Sequence, residues 1–132
     1  MSRRSSRPAR SARLAIGLAL AALIAASCGG SATPAPSFPA GSIIVTAKNR
    51  AFDTKELRVP AAATFTLVLD NEEPDLHNIA IRTQSGFDGD LIFRFDPVSN
   101  KTAVLTVDPI PKGSYFFLCE IHPAMSGTVV AG

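Results

Sequence analysis

From Ile43 to Ala131 the chain breaks into eight short runs rich in β-branched and aromatic residues, separated by turn-forming clusters. The runs are Ile43 to Lys48, Glu56 to Val59, Thr64 to Asp70, His77 to Arg82, Leu91 to Phe95, Thr102 to Val107, Tyr115 to Cys119 and Gly127 to Ala131. Between them stand NRAFD, VPAA, DNEEPD, QSGFDGD, DPVSNK, DPIPKG and HPAMSG, whose Gly, Pro, Asn and Asp residues favour chain reversal. No stretch of this part keeps a 3.6-residue apolar period over a useful length. Short strands bury their apolar faces by stacking as two sheets. The pattern predicts an all-β sandwich of about eight strands over residues 42–132, enough chain for one core.

What precedes this part reads as targeting. Arg3, Arg4, Arg7, Arg10 and Arg13 form a basic start, and the run from Leu14 to Ala26 is apolar. Thirteen residues are too few to span a bilayer but suit the core of a signal peptide. The run closes on Ala25-Ala26-Ser27-Cys28, which resembles a bacterial lipobox with Ala25 where leucine is usual. Residues 1–27 are therefore expected to be a lipoprotein-type signal peptide, and Cys28 the lipidated first residue of the mature chain. The alternative is an ordinary secretory signal cleaved near Ala26. Arg3-Arg4 hints at twin-arginine export, although the rest of that motif is missing. Residues 28–41, rich in Gly, Pro, Ser and Ala, read as a flexible tether. Removing the five leader arginines from thirteen basic residues leaves eight against eleven acidic ones, a mature charge of −3. The basic balance of the whole chain is a targeting feature, and no basic stripe with interleaved aromatics remains to hold nucleic acid.

One strand ends in unusual chemistry. YFFLCEIHPAM, residues 115–125, runs from core-like aromatics into a cysteine, a histidine and a methionine spaced three residues apart. Alternation puts Tyr115, Phe117 and Cys119 on one face, and two aromatics beside the thiol make it the inner one. Taken singly, a buried Cys is a small hydrophobe, a His before Pro a solvated turn residue and a Met a gap filler. Taken together, Cys119, His122 and Met125 place a thiolate, an imidazole and a thioether around one tight loop, the softest donors available. A lone thiol in an exported chain has no partner for an internal disulfide, and metal binding would explain it. The chain has two histidines, so the fourth donor can come from His77. Two imidazoles, one thiolate and a weak thioether match a blue-copper centre. Zinc prefers a fourth strong ligand, and a dinuclear copper site or covalent haem would need a further cysteine.

These residues also carry a family likeness. KGSYFFLCEIHPAMSGTVV resembles the C-terminal signature of the cupredoxins, with Gly113, Tyr115, Phe117 and Cys119 alternating, then His122, Pro123, Met125, Gly127 and a last strand. The Cys-x-x-His-x-x-Met loop is similar to those of amicyanins and pseudoazurins. LHNIAI resembles the first-histidine segment, and GFDGD through PIPKGSYFF resembles small membrane-attached bacterial cupredoxins. The likeness covers about residues 43–131 and departs at Leu76, where relatives often carry a polar residue. It implies an eight-stranded Greek-key sandwich with one type-1 copper at one end. His77, Cys119 and His122 would be its strong ligands and Met125 its axial one. Asn78 would tie the two ligand loops together, while Phe117, Ile121 and Pro123 would keep water out.

The expected function is an extracytoplasmic one-electron carrier, lipid-anchored on the periplasmic or cell-surface side of a membrane and monomeric. Both histidines are spent on metal and no catalytic constellation remains, so an enzyme is not expected. A copper-holding or copper-delivery lipoprotein would use the same four ligands, and a purely structural adhesion sandwich would use none. Asp70, Glu72, Glu73 and Asp75 read either as a solvated turn or as a docking rim for a basic redox partner.

Overall fold

The structure, a computed structural model, describes residues 35–132. The expected leader, the lipidated Cys28 and the tether as far as residue 34 lie outside the described residues. Within them run β1 (Ile43–Lys48), β2 (Ala51–Phe52), β3 (Glu56–Val59), β4 (Phe65–Asn71), β5 (Ala80–Arg82), β6 (Leu91–Arg94), β7 (Thr102–Val107), β8 (Gly113–Leu118) and β9 (Ser126–Ala131). They form two sheets, ordered β2-β1-β4-β7 and β3-β9-β8-β5-β6. The pairs β1·β4 and β3·β9 are parallel and the rest antiparallel. Most pairings join strands that are not consecutive, so the chain crosses repeatedly between sheets in the manner of a Greek key.

Alternation sets what each strand buries. Val45 and Ala47 of β1, Leu67 and Leu69 of β4, Ile81 of β5, Phe117 of β8 and Val129 of β9 all point into one core. Fully burying a side chain such as Phe117 contributes roughly 1.5–3 kcal/mol, and Phe52 packs beside it at 5.5 Å between ring centroids. Two expectations are refined. Ala51–Phe52, inside the expected NRAFD turn, forms a two-residue strand paired to β1. The strand expected over His77 to Arg82 is regular only from Ala80, because His77 leaves the β5 ladder and bridges Val98 instead.

Candidate metal centre

The loop after β8 is closed by its own main chain. The Cys119 N–H donates to the Met125 carbonyl (2.9 Å), and the Met125 N–H donates to the His122 carbonyl (2.8 Å). The strand's alternation carries Cys119 into the core, and Met125 is buried in the same cluster. His122 is half-buried, with Pro123 and Ala124 exposed beside it. Gly127, across the sheet from Phe117, permits the return strand. A Cβ there would lie 2.5 Å from both the Lys55 carbonyl oxygen and the Phe117 ring.

His77 arrives from a less regular segment and is held by its surroundings. Its main chain exchanges two hydrogen bonds with Val98 (3.0 and 2.9 Å). The buried Asn71 side chain fixes the preceding turn, donating to the carbonyls of Asp75 and Val98 at 2.7 Å each. Its oxygen accepts the Glu73 N–H (3.1 Å). Glu73 Oε1 then lies 2.6 Å from His77 Nε2 and also accepts the Arg50 N–H (2.9 Å). Arg50 occupies the two-residue turn between β1 and β2, where both Asn49 and Arg50 have positive φ (54° and 53°). The Arg50 N–H holds the Glu73 carboxyl below its usual range against the opposing effect of burial, with His77 assisting. An ionised carboxylate can only accept, so Nε2 of His77 donates to it, and Nδ1 is the ring nitrogen left for other contacts.

That nitrogen faces the other donors. His77 Nδ1 is 3.2 Å from His122 Nδ1 and 3.7 Å from Cys119 Sγ, and Cys119 Sγ is 4.0 Å from His122 Nδ1. A point equidistant from the corners of this triangle lies about 2.1 Å from each, close to ordinary metal–imidazole and metal–thiolate bond lengths. His77, Cys119 and His122 are therefore already spaced as three ligands of one ion. The donor set, with buried Met125 beside it, suits type-1 copper.

A family model described as a cupredoxin-like domain matches residues 17–131. The chain belongs to the cupredoxin family. Amicyanin-alpha of Methylorubrum extorquens is 31% identical over 119 residues, spanning 89% of this chain and 96% of the relative. Auracyanin from Roseiflexus castenholzii has a TM-score of 0.59 at 22% identity, covering 70% of this chain and 97% of that one. Auracyanin A of Chloroflexus aurantiacus, a "blue" copper protein, also has a TM-score of 0.59, at 21% identity over 69% and 98% of the two chains.

In this cupredoxin Asn78 bridges the two ligand segments. The β5–β8 register pairs Ala80 with Leu118; two pairs further on, Asn78 stands opposite Glu120 and its side chain takes over the ladder. The Glu120 N–H donates to Asn78 Oδ1 (2.8 Å), while Asn78 Nδ2 donates to Glu120 Oε2 (2.9 Å) and to the Phe95 carbonyl (3.3 Å). Burial pushes the Glu120 carboxyl up, but hydrogen bonds from Arg82 and Asn78 and the charges of Arg94 and Arg82 outweigh it and hold it below its usual range.

Of the residues expected to exclude water, Phe117 is fully buried, whereas Ile121 is 42% exposed and Pro123 is also on the surface. Leu76, before His77, is 50% exposed. The acidic run is engaged locally. Glu72 pairs with Lys48 (2.7 Å), Asp75 with Arg50 (2.6 Å) and Glu73 with His77, and Asp70 accepts from Thr102 Oγ1 (2.7 Å). The Arg50 guanidinium holds the Asp75 carboxyl below its usual range. Residues not singled out from sequence are Asn71, Glu73 as the His77 partner, Arg82 and Glu120. The DNEEPD run just before His77 was the available signal for the first two.

Proposed function

We propose that the chain is an extracytoplasmic type-1 copper protein that carries one electron at a time between redox proteins and is not an enzyme. The observation that carries this reading is the donor triangle, in which two imidazole nitrogens and the cysteine sulfur stand at bonding separation around one point. Copper held there would supply a Cu(I)/Cu(II) couple. The chain's own residues do the rest. Cys119 would hold the copper through sulfur, His77 and His122 through ring nitrogens, and the buried Met125 would offer its thioether as a weaker donor. Glu73 keeps the His77 ring in one tautomer and orientation. Asn78 locks the two ligand segments together, so the donors keep their separation as charge on the ion changes. His122 is the half-buried ligand, flanked by exposed Ile121, Pro123 and Ala124, and its ring edge is the exit for the electron.

Anchoring through a lipid on Cys28 fits the placement of the chain's entry. Strand β1 runs parallel to β4, whose far end leads to Asn71 and Glu73. Ile43 therefore lies at the opposite end of the sandwich from the ligands, about 20 Å away for strands of this length. A tether attached there would leave His122 facing a partner. Cys28→Ser should release the protein from the membrane fraction or leave it unprocessed, and unchanged fractionation with normal processing would refute the anchor.

Protein-film voltammetry combined with electron self-exchange separates a carrier from a copper depot. A carrier gives a reversible one-electron wave, fast self-exchange and copper retained through repeated cycles. Ready release of copper on reduction, or negligible self-exchange, would favour delivery of the metal instead.

A further inference from the structure

Directly after Cys119, Glu120 turns to the outer face of the five-stranded sheet and meets Arg82 of β5. Arg82 Nη2 donates to Glu120 Oε1 at 2.8 Å, and the two side chains are only 13% and 18% exposed. The 83–90 loop shelters the pair. Arg82 Nη1 donates to the Gly89 carbonyl (3.0 Å), and the Phe87 ring lies 5.4 Å from the guanidinium carbon. Gly89 is buried against the Gln84 backbone with no room for a Cβ, which lets the loop close over the arginine.

Such a pair is a poor choice for stability alone. Two charges so sheltered lose most of their hydration, and the attraction they regain roughly offsets that loss. Apolar residues of similar volume commonly do as well. Arg82 Nε is also buried without an acceptor, a further net cost. The surroundings could house an apolar pair, since Ala80 and Leu118 on the same face are fully buried. What an apolar pair could not do is grip Asn78. Glu120 engages both ends of that amide, through its N–H and its carboxylate.

We infer that Arg82 and Glu120 are positioning residues. Their ion pair anchors the first residue of the ligand turn to β5, so that the turn bearing His122 keeps one orientation relative to His77. Arg94, 3.7 Å from Glu120 Oε2 and half-exposed, is an outlying member. The inference deepens the copper reading, and one arm of its test needs no metal.

The test compares wild type with Arg82→Met, Glu120→Leu and the double variant, in the full-length protein. Each single change strands a sheltered charge or its partner and lowers the melting temperature of the metal-free protein. The double change restores it, because an apolar pair replaces a sheltered ionic one. In the double variant, amide hydrogen exchange at position 120 (corrected for the intrinsic rate of the new residue) and at Met125 of the metal-free protein is nonetheless expected to quicken about tenfold or more, while Phe117 in β8 stays as in wild type. Copper(I) capture by a chelator should quicken by about 10–100-fold, the range typical for loss of supports behind metal ligands. Wild-type exchange and wild-type copper release in the restored double variant would overturn the inference and leave the pair merely structural. Should the double variant remain unstable, the ratio of corrected exchange at position 120 to that at Phe117 decides. A raised ratio supports positioning, and an unchanged ratio refutes it. If copper does not bind at all, the metal-free exchange still judges the pair, and only the function proposed above fails.

Discussion

His122 is held by the main chain of its own turn, whereas His77 is held by contacts drawn from other segments. The Cys119–Met125 loop closes on itself with two backbone hydrogen bonds, and its candidate donors follow from strand alternation and a three-residue spacing. The His77 segment is irregular. It depends on Asn71 at the end of β4, on Glu73, on the Arg50 N–H from the β1–β2 turn, and on Val98 across the sheet. One half of the centre is local, and the other is a tertiary construction. Apart from the contacts of Asn78 and Arg82 to Glu120, the local half should therefore tolerate changes elsewhere in the fold, and the tertiary half should register them.

The largest effect is expected from Asn71→Ala. It removes donors from the Asp75 and Val98 carbonyls and an acceptor from the Glu73 N–H, all near a buried side chain. The loss should be about 2–4 kcal/mol from three hydrogen bonds and the groups left unpaired. By NMR of the metal-free protein, the His77 ring signals should shift more than those of His122. Equal shifts at both rings would erase the distinction drawn here.

A smaller effect is expected from Gly127→Ala, aimed at the local half. The new methyl would meet the Lys55 carbonyl and the Phe117 ring, and overpacking of this kind costs roughly 1–3 kcal/mol. Chemical denaturation measures the loss, which should come with disturbed Phe117 signals while those of Asn71 and Glu73 hold. A neutral substitution would mean that β9 has room to move away from β8.

The mildest probe is pH. The carboxyls of Glu73 and Asp75 on the tertiary side, and of Glu120 on the local side, sit below their ordinary values of 4.5, 3.8 and 4.5 in the folded protein. Between the unfolded and folded values the unfolded chain binds more protons, so stability falls as pH falls. Their contribution is complete above about pH 4.5 and is lost as pH drops through the lowered folded values. Melting temperature should decline below that point, and Glu73→Gln should flatten the decline. A slope unchanged by Glu73→Gln would mean that the Arg50 N–H does not favour the ionised carboxylate.

The same division explains what could be read along the chain. Alternation of Tyr115, Phe117 and Cys119, with His122 and Met125 at fixed spacing, is a property of one short segment and is visible there. His77 could be named because the donor inventory has one other histidine. Its support could not, since the contacts of Asn71, Glu73 and Arg50 depend on a β1–β4 pairing that no local pattern reveals. DNEEPD looked like a solvated turn or a docking rim because four carboxylates within six residues usually face water. Here Glu73 turns inward to His77, and two of its neighbours are paired with Lys48 and Arg50. Glu120 was hidden for a different reason, because a carboxylate between Cys119 and Ile121 shows no sign of the Arg82 that awaits it on the neighbouring strand β5. Eight strands were expected and nine are present among the described residues, the extra one being a two-residue pairing too short to leave a pattern.

The central claim is that two imidazoles and one thiolate are already spaced for a single type-1 copper. Stoichiometric titration of the purified protein with Cu(II), followed by visible spectroscopy and metal analysis, tests it most directly. One copper per chain with an intense thiolate-to-copper charge-transfer band is expected, absent in Cys119→Ser although that variant stays folded. A protein that remains colourless with Cu(II), or that takes up zinc alone, would contradict it.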